Sequence, residues 1–360
     1  MFKLKRIWIL VLFPVSLILS LLAQNSDIFS EFYAVNIYPF ISKPINYITS
    51  KLPFSLGEFM IVAAIILGTG FVVFYIFLFF TAVDRRKEYL IKFILNIMCI
   101  LCIIYFDFTI SCGINYHRYT FAQRYNYNLE PSSKDDLIGL CTELANRANE
   151  LRENISDSEI VQMKDFSKMA QTAYESYTRM SQLYPTLKTQ YAAPKPIFFS
   201  KFMSELNLTG IFFSATFEAN VNIDSPAFLI PSTMCHELSH VHGYMREDEA
   251  NYIAYLVCTL SEDYYFKYSG TMLAYIHSVN ALYAADAAAY SEVFEILNDK
   301  VKADISINNV YWQEFKGKAA DVSNKVNDTY LKVNALQDGV KSYGRMVDLL
   351  LADYKNKKNM

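Results

Sequence analysis

His236, Glu237 and His240 lie in the run His236-Glu237-Leu238-Ser239-His240, an H-E-x-x-H pattern. On a helix this spacing sets two imidazoles one turn apart on one face, where neutral ring nitrogens can hold Zn²⁺. Glu237 then stands beside the cation as a base for an activated water. The chain of 360 residues has five His, so two at this spacing around a Glu carry weight beyond composition. The competing reading is a helix whose two His bind nothing.

The surrounding residues suit a helix that presents ligands. An apolar run, Ala227-Phe228-Leu229-Ile230, leads into Pro231, Ser232 and Thr233, residue types that start helices. Gly243 follows three residues after His240, where a left-handed cap would end the helix. A second helix is expected from about Arg246, with Glu247, Asp248 and Glu249 in its first turn, where acids suit the helix dipole. A chain turned back at Gly243 could offer one of these acids as a third ligand. A metzincin would place His at position 246, where this chain has Arg. His242 projects from another side of the helix and is expected to support a ligand or face solvent.

The stretch Glu247-x-x-Ala250-Asn251 resembles the E-x-x-A-D/N helix of gluzincin metallopeptidases, the thermolysin-like group. That resemblance implies one Zn²⁺ per chain, held by His236, His240 and Glu247, with Glu249 as the alternative third ligand. It implies Glu237 as the catalytic residue and Asn251 as the group that orients a ligand His. Two departures stand out: the gap from His240 to Glu247 is short, and Asn replaces the usual Asp. Three apolar spans, Gly113-Ile114-Asn115-Tyr116, Phe217-Glu218-Ala219-Asn220 and Tyr343-Gly344-Arg345 extend the similarity. Together they look like an uncharacterised family of bacterial membrane proteins with a gluzincin-type domain, which implies no particular substrate.

The elements that would position this chemistry start in a membrane. Hydrophobic residues make up 53% of the chain, and they concentrate near its start. Three spans are expected, at about 7–23, 59–83 and 93–112, each long enough for a bilayer. The first is read as an uncleaved anchor, with a secretory signal as the alternative. Lys3, Lys5 and Arg6, and then Arg85, Arg86 and Lys87, mark cytoplasmic flanks, so three spans carry everything after residue 115 outside. The expected organisation is a membrane region at 1–115 and an extracytoplasmic zincin-like metallopeptidase domain at 116–360. The lipid bilayer of a bacterial cell membrane is the expected setting of this multi-pass chain.

The fold class expected is α+β, mostly helical, with a small sheet just before the H-E-x-x-H helix. Ser133-x-x-Asp136 should cap a helix through about Leu151, and another should run from Ser158 to Leu183. Between Lys195 and Ile230 the residues turn β-prone and are broken by turn formers. Residues 217–222 are the expected edge strand for a peptide or protein substrate, with Asn220 holding its backbone. Tyr343, Arg345 and His277 are candidate donors to developing negative charge. Cys235 and Cys258 could face each other. A net charge of −3 with no basic stripe argues against nucleic acid as a partner. A membrane-anchored peptidase cutting envelope peptides or proteins is the leading reading. A non-catalytic protein using the same site for structure or peptide binding, and a signalling sensor peptidase, are the alternatives.

Overall fold

The computed structural model describes residues 6, 8–161, 165–334 and 345–358. Three of its helices are long and apolar enough to cross a membrane. The first contains α1 (Leu12–Asn25), and α2 (Tyr38–Thr49) follows it. α3 (Leu56–Thr81) and α4 (Arg86–Phe108) form an apolar hairpin. The Ser55 side chain caps α3 by accepting the Glu58 N–H at 3.0 Å. The 26 residues of α3 reach about 39 Å, enough to cross a hydrocarbon layer of about 30 Å. α4 starts at Arg86 rather than near residue 93, because the charged residues ahead of the apolar run already continue the helix.

The C-terminal end of α1, the N-terminal end of α3 and the C-terminal end of α4 meet the rest of the chain at one end. Residues 26–55, which the sequence groups with the membrane region, pack against that body. Ser42 Oγ lies 2.6 Å from the Tyr191 hydroxyl, and Asn46 Nδ2 donates to the Phe217 carbonyl at 2.7 Å.

α5 (Lys134–Arg152) starts at the expected capping box, with the Asp136 N–H donating to Ser133 Oγ. α6 (Phe166–Leu183) follows. A three-stranded sheet comes next, made of β1 (Lys195–Pro196), β2 (Gly210–Phe213) and β3 (Glu218–Val221), with α7 (Ser200–Glu205) between the first two. Its order is β1-β3-β2, parallel between β1 and β3 and antiparallel between β3 and β2. β3 is therefore central, and the expectation of an edge at 217–222 is wrong; β2 is the edge beside the candidate site. The β-prone residues mark strands well, but strand order is set by pairing across the sheet, which local pattern does not record. All four residues of β3 are buried although two are polar, because both find partners. Glu218 is the clearest case. It accepts from Lys195 Nζ at 2.6 Å, from Thr216 Oγ1 at 2.8 Å and from the Gly57 N–H at 2.9 Å, and so joins the sheet to the first turn of α3.

The core is helical and lies behind the sheet. α8 (Ile230–Val241), α9 (Glu247–Leu260) and α10 (Tyr264–Ala285) pack on one another and on α5 and α6. α11 (Ala287–Ile296), α12 (Asp299–Glu314), α13 (Lys318–Val333) and α14 (Arg345–Lys358) complete the described chain. The chain is thus mostly helical with one small sheet.

Candidate metal centre

α8 carries His236, Glu237 and His240 and ends in a Schellman turn. The Gly243 N–H bonds the His240 carbonyl at 2.9 Å, and the Tyr244 N–H bonds the Ser239 carbonyl at 3.1 Å. Gly243 sits at φ +83°, a conformation that L side chains rarely adopt. The reversal brings the first turn of α9 back over the His face of α8. This is how so short a gap returns an acid to the histidines.

Among the described residues, His236, His240 and Glu247 form a group able to hold a metal ion, with one ligand atom from each lying within 4.8 Å of the others. The two Nε2 atoms are 3.1 Å apart; Glu247 Oε2 is 3.2 Å from His236 Nε2, and Oε1 is 3.7 Å from His240 Nε2. Ligands about 2.0–2.1 Å from a tetrahedral zinc stand about 3.3 Å from one another, so the spacing fits. The chemistry fits as well. His236 Nδ1 lies 2.8 Å from Asn251 Oδ1, and His240 Nδ1 lies 2.8 Å from the Tyr244 carbonyl oxygen. Both partners accept, so each neutral ring keeps its proton on Nδ1 and turns an Nε2 lone pair inward. Two lone pairs and a carboxylate cannot share this space unless a proton or a cation sits among them.

Electrostatics agree. Burial opposes charge on His236, yet the Glu247 carboxylate outweighs it and raises that imidazole to about 9. Burial pushes His240 down to about 4, against the pull of Glu247. Glu237 is buried against β2, and burial lifts it to about 8, with His236 opposing and Glu247 adding. A Cβ on Gly210 would come within 2.8 Å of the Glu237 Cδ, so this strand position must be bare for the carboxyl to fit. Gly210→Ala should therefore displace the Glu237 carboxyl or the β2 backbone at a cost of about 1–3 kcal/mol, read as a drop in the thermal midpoint of the purified protein.

Glu249, the alternative ligand, points away. Its Oε1 accepts the Phe121 N–H at 2.6 Å and lies 3.9 Å from Arg246 Nε. Asp248 pairs with Arg246 and Arg345, at 3.4 and 3.5 Å. Glu247 is thus the acid that the fold brings to the histidines. Asn251 is where an orienting residue should be; Asn251→Ala should weaken metal binding about 10–100-fold, measured by competition with a chelator.

Further support for this turn comes from Glu31 and Tyr38, between α1 and the start of α2, and from Arg118 beyond α4. The Tyr38 hydroxyl donates to the Val241 carbonyl at 3.0 Å, satisfying an open carbonyl at the end of α8. Arg118 lies 4.2 Å over the Tyr244 ring and 3.2 Å from Glu31, and both partners of that ion pair are buried. Together they brace the turn whose carbonyl orients His240. Arg118→Ala leaves Glu31 buried without its closest cation and should cost about 3–5 kcal/mol, read as a large drop in thermal midpoint.

The other candidates divide clearly. Asn220 is buried in the central strand, where its Nδ2 donates to the Glu218 and Ile211 carbonyls, so it does not offer its amide to a substrate at an edge. Arg345 is held at the first turn of α9 by Asp248, outside the cleft. Tyr343 lies outside the described residues. His277 sits on α10 and does not line the cleft. His242 is buried rather than solvent-facing, stacked on Tyr177 with ring centroids 4.6 Å apart. The Cys235 and Cys258 thiols do face each other, 3.5 Å apart and unbridged.

A cleft of about 830 Å³ opens over His236, Glu237, His240 and Glu247. β2 forms one wall, Phe108, Cys112 and Tyr116 another, and α13 a third. The Tyr116 hydroxyl donates to the Tyr330 oxygen at 3.1 Å, which leaves the Tyr330 hydroxyl proton as a donor for the cleft. Burial, the neighbouring Cys112 and Glu247 raise Tyr330 above its ordinary value, so it remains a donor. Tyr330 does not stand out in a sequence with 27 Tyr, and Tyr116 is marked there only as the end of the Gly113–Tyr116 run; contacts formed after folding bring both to the cleft.

The fold and the site thus define a mostly helical protein with three membrane-length helices among its described residues and a largely buried cluster of His236, His240 and Glu247, of which His240 alone is fully buried, beside a small sheet. The chain belongs to the family described as protein of unknown function (DUF3810), whose model matches residues 33–351. No curated protein and no solved structure matches it.

Proposed function

We propose that the protein is a membrane-anchored zinc-dependent peptidase whose zincin-like domain works on envelope or extracellular peptides and proteins, outside the cell membrane. One observation carries this reading: two imidazoles and the Glu247 carboxylate converge, while Glu237 faces the same cleft from the same helix. Zinc held there would supply Lewis-acid activation of water and of a peptide carbonyl. Glu237 supplies the proton traffic. A cation beside it would draw its raised pKa down, so the carboxylate can take a proton from water and return it to the leaving amine.

β2 supports the positioning of an extended chain. Gly210, Ile211, Phe212 and Phe213 all line the cleft, and among the described residues no further strand pairs with the outer edge of β2. A peptide can add there antiparallel to β2 with its backbone beside Glu237. Tyr330, whose oxygen accepts the Tyr116 hydroxyl proton, can donate its own to negative charge that develops on the carbonyl oxygen. The test uses the full chain purified in detergent. We expect about one zinc per chain at neutral pH and chelator-sensitive cleavage of a mixed peptide library. A metal-free protein that leaves every peptide intact would sink the reading.

A further inference from the structure

Two apolar surfaces stand exposed, one beyond the sheet and one on the α13 wall of the cleft, and among the described residues no segment covers them. On the sheet side, Phe198, Phe199 and Phe202 stand 84%, 51% and 58% exposed. Their place is fixed by the second membrane-length helix. Glu58, in the first turn of α3, accepts the Phe198 N–H at 3.0 Å and the Phe199 N–H at 2.7 Å. These aromatic rings therefore lie beside the point where α3 starts its uncharged run. On the opposite wall, α13 turns Asn324 and Tyr330 toward the cleft and exposes a stripe of Val322, Val326 and Val333, 60%, 63% and 77% exposed. This helix is also tied to the spans: the Tyr330 ring packs edge-on against Phe108, the last residue of α4, with centroids 6.1 Å apart.

The two helix ends to which these surfaces are joined meet one hairpin. α3 starts and α4 ends against the same β2–β3 hairpin, through the Gly57 N–H on Glu218 and through Ser214 Oγ, which donates to Asp107 at 3.2 Å. Lys325 and Lys332 run along one side of the valine stripe, where long stems can lie on apolar surface; Lys332 is paired with Asp328 at 2.6 Å, and the Lys325 ammonium can reach lipid phosphates. Isolated apolar residues on a surface need no explanation, but two contiguous patches joined to the ends of membrane-length helices do.

We propose that the Phe198–Phe202 edge and the valine face of α13 are seated in the headgroup region of the same bilayer that takes α3 and α4, so that the metal cleft between them opens at the lipid surface. The bilayer is the one partner whose position the helix ends already dictate. This seating does not depend on the peptidase reading, and its test needs no activity. The full chain, with Trp8 and Trp312 changed to Phe, carries a single reporter, Phe198→Trp or Val326→Trp, in phosphatidylcholine vesicles. Lipid brominated about 5–10 Å below the headgroups should cut the emission of each reporter about twofold or more and leave a blue-shifted maximum. Phe202→Trp and Val333→Trp give a second, independent pair with the same expectation. Emission at the water-exposed wavelength, unchanged by bromine, on the phenylalanine edge would overturn the proposal; the same result confined to α13 would overturn the opening of the cleft at the lipid surface.

Discussion

Glu237→Gln should lower peptide hydrolysis about 10²–10⁴-fold while the purified protein keeps its metal. Gln matches Glu in shape, so it can occupy the space left by Gly210 and still meet the Phe212 backbone. What it lacks is a group that takes and gives back a proton. The carboxyl touches none of the ring contacts that orient the histidines, which run instead to Asn251 and to the Tyr244 carbonyl. Metal content and thermal midpoint should therefore stay near those of the parent. An unchanged rate would remove Glu237 from the chemistry and leave the group with a structural or binding role.

Glu247→Ala and Glu249→Ala should part company. Removing Glu247 takes away one of three ligands, and zinc should fall from about one per chain to near none at a micromolar free concentration. Removing Glu249 leaves the ligand set whole but strips the Phe121 N–H of its acceptor, costing about 1–3 kcal/mol of stability with metal retained. Proton linkage gives a second readout. His236 is held at about 9 by Glu247, so a cation must displace a proton to bind its Nε2. Metal affinity in the parent should accordingly tighten as pH rises toward 9, and that slope should flatten once Glu247 is gone. Equal zinc loss in both variants, or in neither, would mean that the third ligand has been assigned wrongly.

Much of this site could be read before any coordinates. The i,i+4 histidines need only helical periodicity to share a face, and Gly243 announces the end of that helix by a backbone preference of its own. Choosing among Glu247, Asp248 and Glu249 took more. All three acids suit the first turn of a helix equally well, and their directions differ only once α8 and α9 are docked through the turn at Gly243–Tyr244. The β-prone run is legible as strands but not as an order: local pattern points to β3 as the free edge, whereas pairing leaves β2 open beside the cleft. Asn220, Arg345 and His277 failed as cleft residues for a similar reason: each has a polar type suited to catalysis, but the fold placed it elsewhere.

The support around the site was not legible at all. Glu31, Tyr38 and Arg118 reach the histidine turn from positions more than a hundred residues earlier, and Glu218 ties the sheet to α3 across a similar gap. Sequence alone determined what local physics governs: three apolar stretches of membrane length, helical periodicity, caps, and two imidazoles on one face. Only tertiary structure decided which acid joins them, which strand is left open, and that the cleft stands beside the ends of the spans. Those outcomes depend on contacts between distant segments, whose free energy belongs to pairs of residues and is not written in either one alone.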